Sequence, residues 1–357
     1  MSAIGEIFTE QFLYQNHKKI HLYKTAVTLM LTYLIGIYYN VPHSGWATIT
    51  VVVLLLPYPQ VGDVARRSLQ RSMGTAVGAI YGIITLFLFH GNIWLNALFF
   101  IIAVIIFSEK LFKKFDYATL TGLLALTIVF GASHSLESGL WRCGQVIIGS
   151  IISYIAASIM PIKAQRRIQL EASDCIAKMN EIYKTYYTPH RSERPKDASK
   201  QFRKLTKHIV AQRKSSSSAI NESKYLKAQE ESLDQFIVAQ RLMAGALELL
   251  WQTQWASKRG FEYIKEMSSI EEQQTQWEQI SDELVADLRQ NNHYRVHNDI
   301  TVSMSESRKE LHEMFVAHPD DTPLSPVAYV WLHRHYAVQL IRLQQLAHQL
   351  FEPQTKG

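Results

Sequence analysis

Apolar residues are concentrated in the first 160 positions of this 357-residue chain, where they form six long runs separated by short polar connections. The runs cover residues 23–40, 45–56, 73–90, 94–107, 117–131 and 143–160. Several are shorter than the ~20 residues that a helix needs to cross a bilayer core. Such runs are extended by their flanks, broken, or shielded inside an oligomer. The pattern predicts an all-α, polytopic membrane protein with six transmembrane helices.

From residue 161 onward, apolar residues recur at helical spacing within a highly charged sequence. Leu233, Phe236, Ile237, Met243 and Leu247 repeat as one face of a helix. We therefore predict three parts, which are a cytoplasmic N-terminal segment over residues 1–22, a six-helix transmembrane domain over 23–160 and a helical cytoplasmic domain over 161–357.

The charged residues of the connections predict the orientation in the membrane. Lys and Arg occupy alternate connections: Lys18, Lys19 and Lys24, then Arg66, Arg67 and Arg71, then Lys110, Lys113 and Lys114, and finally Lys163, Arg166 and Arg167. Because cations near span ends stay on the cytoplasmic side, both termini are predicted to be cytoplasmic. Trp46, Trp94 and Trp141 lie at the opposite span ends, as an aromatic belt does. The alternative, a soluble all-α protein with buried helices, explains neither pattern.

The segment 57–82 combines a charged elbow with a row of glycines. Prolines end the preceding helix, and Pro59, Gly62 and Asp63 form the predicted elbow, with Asp63 as the helix N-cap. Gly74, Gly78 and Gly82 recur every four residues, so they line one helix face that a second backbone can approach closely. Gly149 and Ser153 belong to a second stripe of small residues, which is the candidate partner of the first.

Ionisable and polar side chains in the spans are the candidates for function. Arg142 is the one Lys or Arg on the predicted outer side, and Gln145 follows it in the sixth run. Alternatively, Arg142 reaches lipid phosphates or pairs with Glu137. Arg71 lies one turn before Gly74 and Thr75, where it either holds an anion or follows the charge rule, and we favour the charge rule.

The sequence contains no motif for catalysis or phosphate binding, so we predict no enzyme and no cofactor. His312 and His318 lack the spacing of a helical zinc site, so no metal site is expected either. Cys143 and Cys175 are too few for a disulfide framework. The net charge of +6 is explained by membrane orientation, and no nucleic-acid partner is predicted.

Several of these residues together resemble one family of bacterial inner membrane proteins, the fusaric acid resistance and aromatic acid exporter family. The similar positions are Pro59-x-x-Gly62, Arg71-x-x-Gly74-Thr75-x-x-Gly78, Trp141-Arg142, Gly149 and Pro161. The resemblance implies export of aromatic carboxylic acids driven by the proton gradient, with a periplasmic adaptor protein as a candidate partner. Longer members carry two such halves, so a homodimer or larger homo-oligomer is implied here. Many relatives have an acid near Gln145, and this chain departs from them there.

These observations lead to one functional hypothesis and one alternative. In the hypothesis, the chain lies in the lipid bilayer of the inner membrane and exports a small organic anion. The anion enters near Arg71, Gly74 and Thr75, where a helix start and cations favour carboxylates, and Arg142 with Gln145 gates its release. In the alternative, the membrane half anchors a non-transporting scaffold or sensor that acts through its cytoplasmic helices.

Overall fold

The structure is a computed structural model that describes residues 10–57, 60–89, 92–108, 116–131, 136–159, 161, 164–187, 194, 197–291, 294–297, 302–319 and 322–352. These residues form helices and connecting loops, and no strand occurs among them. The predicted all-α class is therefore confirmed. The chain divides into two compact units, Met1–Ile162 and Lys163–Gly357. Pro59, Lys110, Lys113, Lys114 and Lys163 lie outside the described residues.

The first unit contains seven described helices, and each predicted apolar run overlaps one of them. They are α1 (Glu10–Gln15), α2 (His17–Tyr38), α3 (Gly45–Leu55), α4 (Val61–Leu88), α5 (Ile93–Ser108), α6 (Asp116–Gly131) and α7 (Leu136–Ser158). Three helices, α2, α4 and α7, are long and apolar enough to cross a membrane. The other apolar helices, α3, α5 and α6, are shorter.

Two helices begin earlier than their apolar runs predict. Helix α4 begins at Val61, and its N-cap is Gln60, so the prediction of Asp63 as N-cap is wrong. The Asp63 carboxylate lies in the first turn instead, where its negative charge still interacts favourably with the positive end of the helix dipole. Helix α7 begins at Leu136, so Arg142 lies within it rather than at its start. Polar flanks extend these helices because a helix needs local propensity, not apolar character, to continue.

The glycines of α4 allow it to pack closely on α6, its most extensive neighbour. A Cβ atom added at Gly74 would lie under 3.0 Å from the carbonyl oxygen of Ala118, and one at Gly78 equally close to that of Gly122. Gly82 contacts α6 farther along the helix. The two backbones therefore meet with no side chain between them.

The second stripe of small residues packs elsewhere. A Cβ atom at Gly149 would lie 2.6 Å from the carbonyl oxygen of Ala47, on α3. Ser153 is buried, and its hydroxyl donates to the carbonyl of Gly149 at 2.7 Å. The prediction that the two stripes face each other is wrong, because helical spacing defines a face but not the helix that covers it.

The second unit is a bundle of helices with a conventional apolar core. They are α8 (Ala164–Tyr186), α9 (Ala198–Glu222), α10 (Lys224–Ala228), α11 (Glu230–Gln254), α12 (Lys258–Glu266), α13 (Ser268–Gln290), α14 (Ser305–Ala317) and α15 (Leu324–Phe351). Helix α11 packs on α15, and α8 packs on α13 and α9. The predicted face of α11, from Leu233 to Leu247, is buried in this core, which confirms its helical periodicity.

Candidate functional site

A cavity of about 220 Å³ lies inside the first unit, between helices α3, α4, α6 and α7. Its wall is mostly apolar and contains one charged side chain. The residues that line it are Trp46, Arg71, Thr75, Thr121, Leu124, Ala125, Thr127, Ile128 and Val146. An apolar cavity with a few polar groups is the usual form of a small-molecule site.

Arg71 supplies the charge of this cavity, and its guanidinium is only partly satisfied. The side chain is 8% exposed. Its Nη1 donates to the hydroxyl of Tyr117 at 3.1 Å, whereas its Nε is buried without a partner. Among the described residues, no carboxylate forms an ion pair with it. Since arginine stays protonated and an unpaired buried charge is costly, this site favours an incoming anion.

The depth of Arg71 in its helix distinguishes it from its neighbours. Arg66 is exposed and Arg67 is half-buried, near the start of α4. Arg71 lies ten residues after Val61, which is about 15 Å along the helix at 1.5 Å per residue. The charge rule explains cations at span ends, so it accounts for Arg66 and Arg67 better than for Arg71.

Thr75 lies one turn after Arg71 on the same face of α4. It lines the cavity and makes no hydrogen bond to other described residues. The other two threonine hydroxyls of the wall are committed to backbone carbonyls, since Thr121 donates to Ala118 at 3.0 Å and Thr127 to Leu123 at 2.8 Å. Arg71 and Thr75 on α4, together with the indole N–H of Trp46 on α3, are therefore the described donors with capacity for a ligand in this wall.

Arg142 and Gln145 lie beside the cavity rather than on its wall. The Nε of Arg142 and the Nε2 of Gln145 are both buried without an acceptor. No ion pair joins Arg142 to Glu137, although the structure describes both side chains. These donors are one turn apart on α7, and the next residue after Gln145, Val146, does line the cavity.

Two further candidates from the sequence, Gly74 and Gly62, lie in a helix contact and at a helix start, not on the cavity wall. Gly74 packs against α6, next to the cavity that Arg71 and Thr75 line. Gly62 is buried in the first turn of α4. The sequence reasoning did not identify Tyr117, the hydrogen-bond partner of Arg71. The two residues are 46 positions apart, and no periodicity within one helix indicates such a contact.

The core of the second unit contains a hydrogen-bonded pair of buried polar side chains. Tyr183 hydrogen-bonds His333 inside the core. Burial lowers the pKa of His333 to about 4 and raises the pKa of Tyr183, so both are neutral near pH 7. No group of three or more potential metal ligands occurs in the part of the chain that the structure describes.

Comparison with known proteins agrees with the resemblance seen in the sequence. Residues 28–156 match the family described as fusaric acid resistance protein-like, and this range includes every residue of the cavity wall. The chain is also similar to the inner membrane protein YeeA of Escherichia coli (strain K12), with 26% identity over 343 residues that cover 94% of each chain. The predicted resemblance is confirmed.

Proposed function

We propose, from this family similarity and the unpaired charge in the cavity, that the chain is a multi-pass inner-membrane exporter of small organic carboxylic acids, including aromatic ones. The observation that carries the proposal is the buried guanidinium of Arg71, whose Nε has no partner. A carboxylate matches the planar fork of a guanidinium and forms charge-assisted hydrogen bonds with it. The substrate carboxylate therefore binds Arg71, with Thr75 as a second donor.

The size and wall of the cavity restrict the rest of the substrate. Drug-sized ligands occupy cavities of roughly 300–1,000 Å³, whereas this one measures about 220 Å³. Trp46, Leu124 and Ile128 supply aromatic and aliphatic surface. These features favour a small acid with one ring, which stacks or packs against apolar side chains while its carboxylate meets Arg71.

The proposal includes the topology and the assembly. All six apolar helices form the membrane domain, both termini are cytoplasmic, and the short helices are shielded by their longer neighbours. Helix α3 has 11 residues, about 16 Å at 1.5 Å per residue, so it needs such shielding in a ~30 Å core. As the resemblance implies, the working unit is a homodimer or larger, a periplasmic adaptor is a candidate partner, and the proton gradient drives export.

An efflux assay in a strain that lacks this protein tests the proposal. Cells expressing wild type, Arg71→Gln or Arg66→Gln are challenged with benzoate and related acids, and membrane insertion is checked by immunoblot. We expect Arg71→Gln to abolish protection. Arg66→Gln, the matched control, removes the same charge from an exposed position on the same helix and leaves protection intact. An Arg71→Gln protein that inserts normally and protects fully contradicts the proposal.

Arg142 has a separate prediction within the same assay. If it gates release, Arg142→Gln slows efflux while the purified protein binds benzoate as wild type does. Equal efflux by Arg142→Gln and wild type limits Arg142 to a structural role, consistent with its position outside the cavity wall.

A scaffold or sensor is the second candidate, because α15 of the second unit presents exposed apolar residues. Leu324 is 82% exposed, Trp331 is 61% exposed, and Val327 lies between them on the same face. Such a face fits a protein partner. Loss of protection in Trp331→Ala, with benzoate binding unchanged in the purified protein, favours this candidate.

A further inference from the structure

Tyr117, the second residue of α6, stands between two arginines of α4. Its hydroxyl accepts a hydrogen bond from Nη1 of Arg71 at 3.1 Å. Its ring lies under the guanidinium of Arg67, whose central carbon is 4.7 Å from the ring centroid. An arginine at this distance from an aromatic face is attracted by the ring quadrupole. The ring of Tyr117 therefore contacts Arg67, and its hydroxyl contacts Arg71.

The close packing of α4 on α6 places Tyr117 in this position. The next residue, Ala118, is the one whose carbonyl oxygen meets Gly74 backbone to backbone. Thr121, one turn later, shares its hydroxyl proton between the carbonyl of Ala118 on its own helix at 3.0 Å and that of Gln70 on α4 at 3.4 Å. Because backbone contacts leave little freedom to slide or rotate, the position of Tyr117 relative to Arg71 is set by the glycine stripe.

The contact with Tyr117 determines which edge of Arg71 is available. Nη1 donates to the tyrosine hydroxyl, and neither Nε nor Nη2 donates to another described residue. An arginine side chain loses considerable rotamer entropy when it is fixed. Here that cost is met before a ligand binds, which is the condition for a pre-organised site.

We propose that Tyr117 is a positioning residue of the anion site, which fixes the Arg71 guanidinium so that its Nε–Nη2 edge meets a carboxylate. This inference rests on the proposed function and deepens it. Tyr117 lies outside the cavity wall, so it acts through Arg71 and not by touching the substrate. The consequence is selective, because a carboxylate depends on the orientation of the fork and an uncharged analogue of the same shape does not.

Calorimetric titration of the purified full-length protein in lipid nanodiscs tests the inference, with benzoate and benzamide as probes. Tyr117→Phe keeps the ring under Arg67 and removes the hydroxyl. We expect it to weaken benzoate binding about tenfold, in line with a lost hydrogen bond to a charged group, and to leave benzamide binding unchanged. Tyr154→Phe, which removes an exposed hydroxyl on α7, is the matched control and binds both as wild type does.

A second pair of variants keeps the test decisive if Tyr117→Phe does not fold. Arg67→Gln removes the cation over the ring and leaves both Arg71 and the Tyr117 hydroxyl in place. We expect about a threefold loss of benzoate affinity, at the scale of an exposed cation–π contact. Arg66→Gln carries the same charge change at a neighbouring exposed position and is expected to leave the affinity unaltered.

The outcomes separate this inference from the proposed function. If Arg71→Gln loses benzoate binding while Tyr117→Phe keeps it, the inference is overturned and the anion site stands. If Tyr117→Phe weakens benzoate and benzamide equally, the tyrosine is merely structural, and the inference is again overturned. If the wild-type protein binds benzoate no better than benzamide, both the inference and the anion site are overturned.

Discussion

Helix α4 of the first unit and helix α11 of the second bury opposite kinds of residue. The buried side of α4 consists mostly of glycines and polar residues, whereas Val77, Ile80 and Ile84 are exposed. The buried side of α11 consists mostly of large apolar residues such as Leu233, Phe236 and Met243, and its exposed side carries acids. The second unit has the pattern of a protein folded in water, where burying apolar surface drives packing. The first unit has the pattern of helices in lipid, where close backbone approach replaces that drive.

Two buried arginines make the same comparison at the level of one side chain. Arg71 and Arg166 are each 8% exposed. Arg166 donates from Nη1 to the carbonyl of Leu288 at 2.7 Å and from Nη2 to that of Arg289, at the end of α13. It thereby neutralises the negative end of that helix dipole. Among the described residues, Arg71 donates to the Tyr117 hydroxyl alone. The Nε of each arginine is buried and makes no hydrogen bond to a described residue, so the two differ at their Nη atoms: both Nη atoms of Arg166 hold helix-end carbonyls, whereas one Nη atom of Arg71 holds a hydroxyl.

The largest expected effect comes from replacing each arginine by methionine. Arg166→Met leaves two helix-end carbonyls without their charged donor, and we expect the local free energy of unfolding of α13 to fall by about 4 kcal/mol. Arg71→Met removes an unpaired buried charge, so the stability of α4 is expected to stay the same or rise. Hydrogen–deuterium exchange of the full-length protein, read separately for α13 and α4, measures both.

Arg213→Met is the control for this pair. Arg213 is paired with Asp234 at 3.9 Å, and both side chains are more than half exposed, so its loss is expected to cost less than about 1 kcal/mol. A strong destabilisation of α4 by Arg71→Met contradicts the comparison, because it assigns Arg71 the structural role of Arg166.

The next effect is a pH dependence of the stability of the second unit. The folded state holds His333 neutral, with a pKa of about 4 against 6.5 for the free side chain. The unfolded chain therefore binds more protons between these values, and stability falls as the pH drops from 6.5 towards 4. The full loss is about 3 kcal/mol. Thermal unfolding of the second unit across this pH range measures it.

His333→Gln is the control, since it removes the titrating ring. Between pH 6.5 and 4, we expect this variant to lose about 3 kcal/mol less stability than wild type does. The comparison holds whatever the absolute Tm of the variant. Identical pH slopes in the two proteins show that His333 does not titrate as described.

The smallest expected effects come from alanine at one glycine in each unit. Gly78→Ala places a methyl group against the backbone of Gly122, and overpacking of this kind costs about 2 kcal/mol. Gly245→Ala in α11 meets nothing within 4 Å and is expected to stabilise its helix by about 1 kcal/mol. Opposite shifts in unfolding temperature support the comparison. Equal shifts show that α4 and α6 adjust to accept a side chain.

Much of the candidate site could be named from the sequence, but not its arrangement. Arg71 and Thr75 were named because ionisable and polar residues are rare in apolar runs, and the structure places both on the cavity wall. By sequence Arg142 is the stronger candidate, because the charge rule accounts for Arg71 but not for a cation on the outer side, yet Arg142 lies beside the wall. Charge position along a helix indicates which residues are unusual. It does not indicate the direction in which each side chain is turned by packing.

Local information in the chain is sufficient for the helical class, the apolar runs and the family resemblance. These depend on periodicity and on residues close together in sequence. Tertiary packing alone selects α6 as the neighbour of the glycine stripe, buries Arg71 and brings Tyr117 to it. The physical reason is that such contacts join residues dozens of positions apart. Their geometry depends on how closely two backbones approach, and that is settled only when the helices pack together.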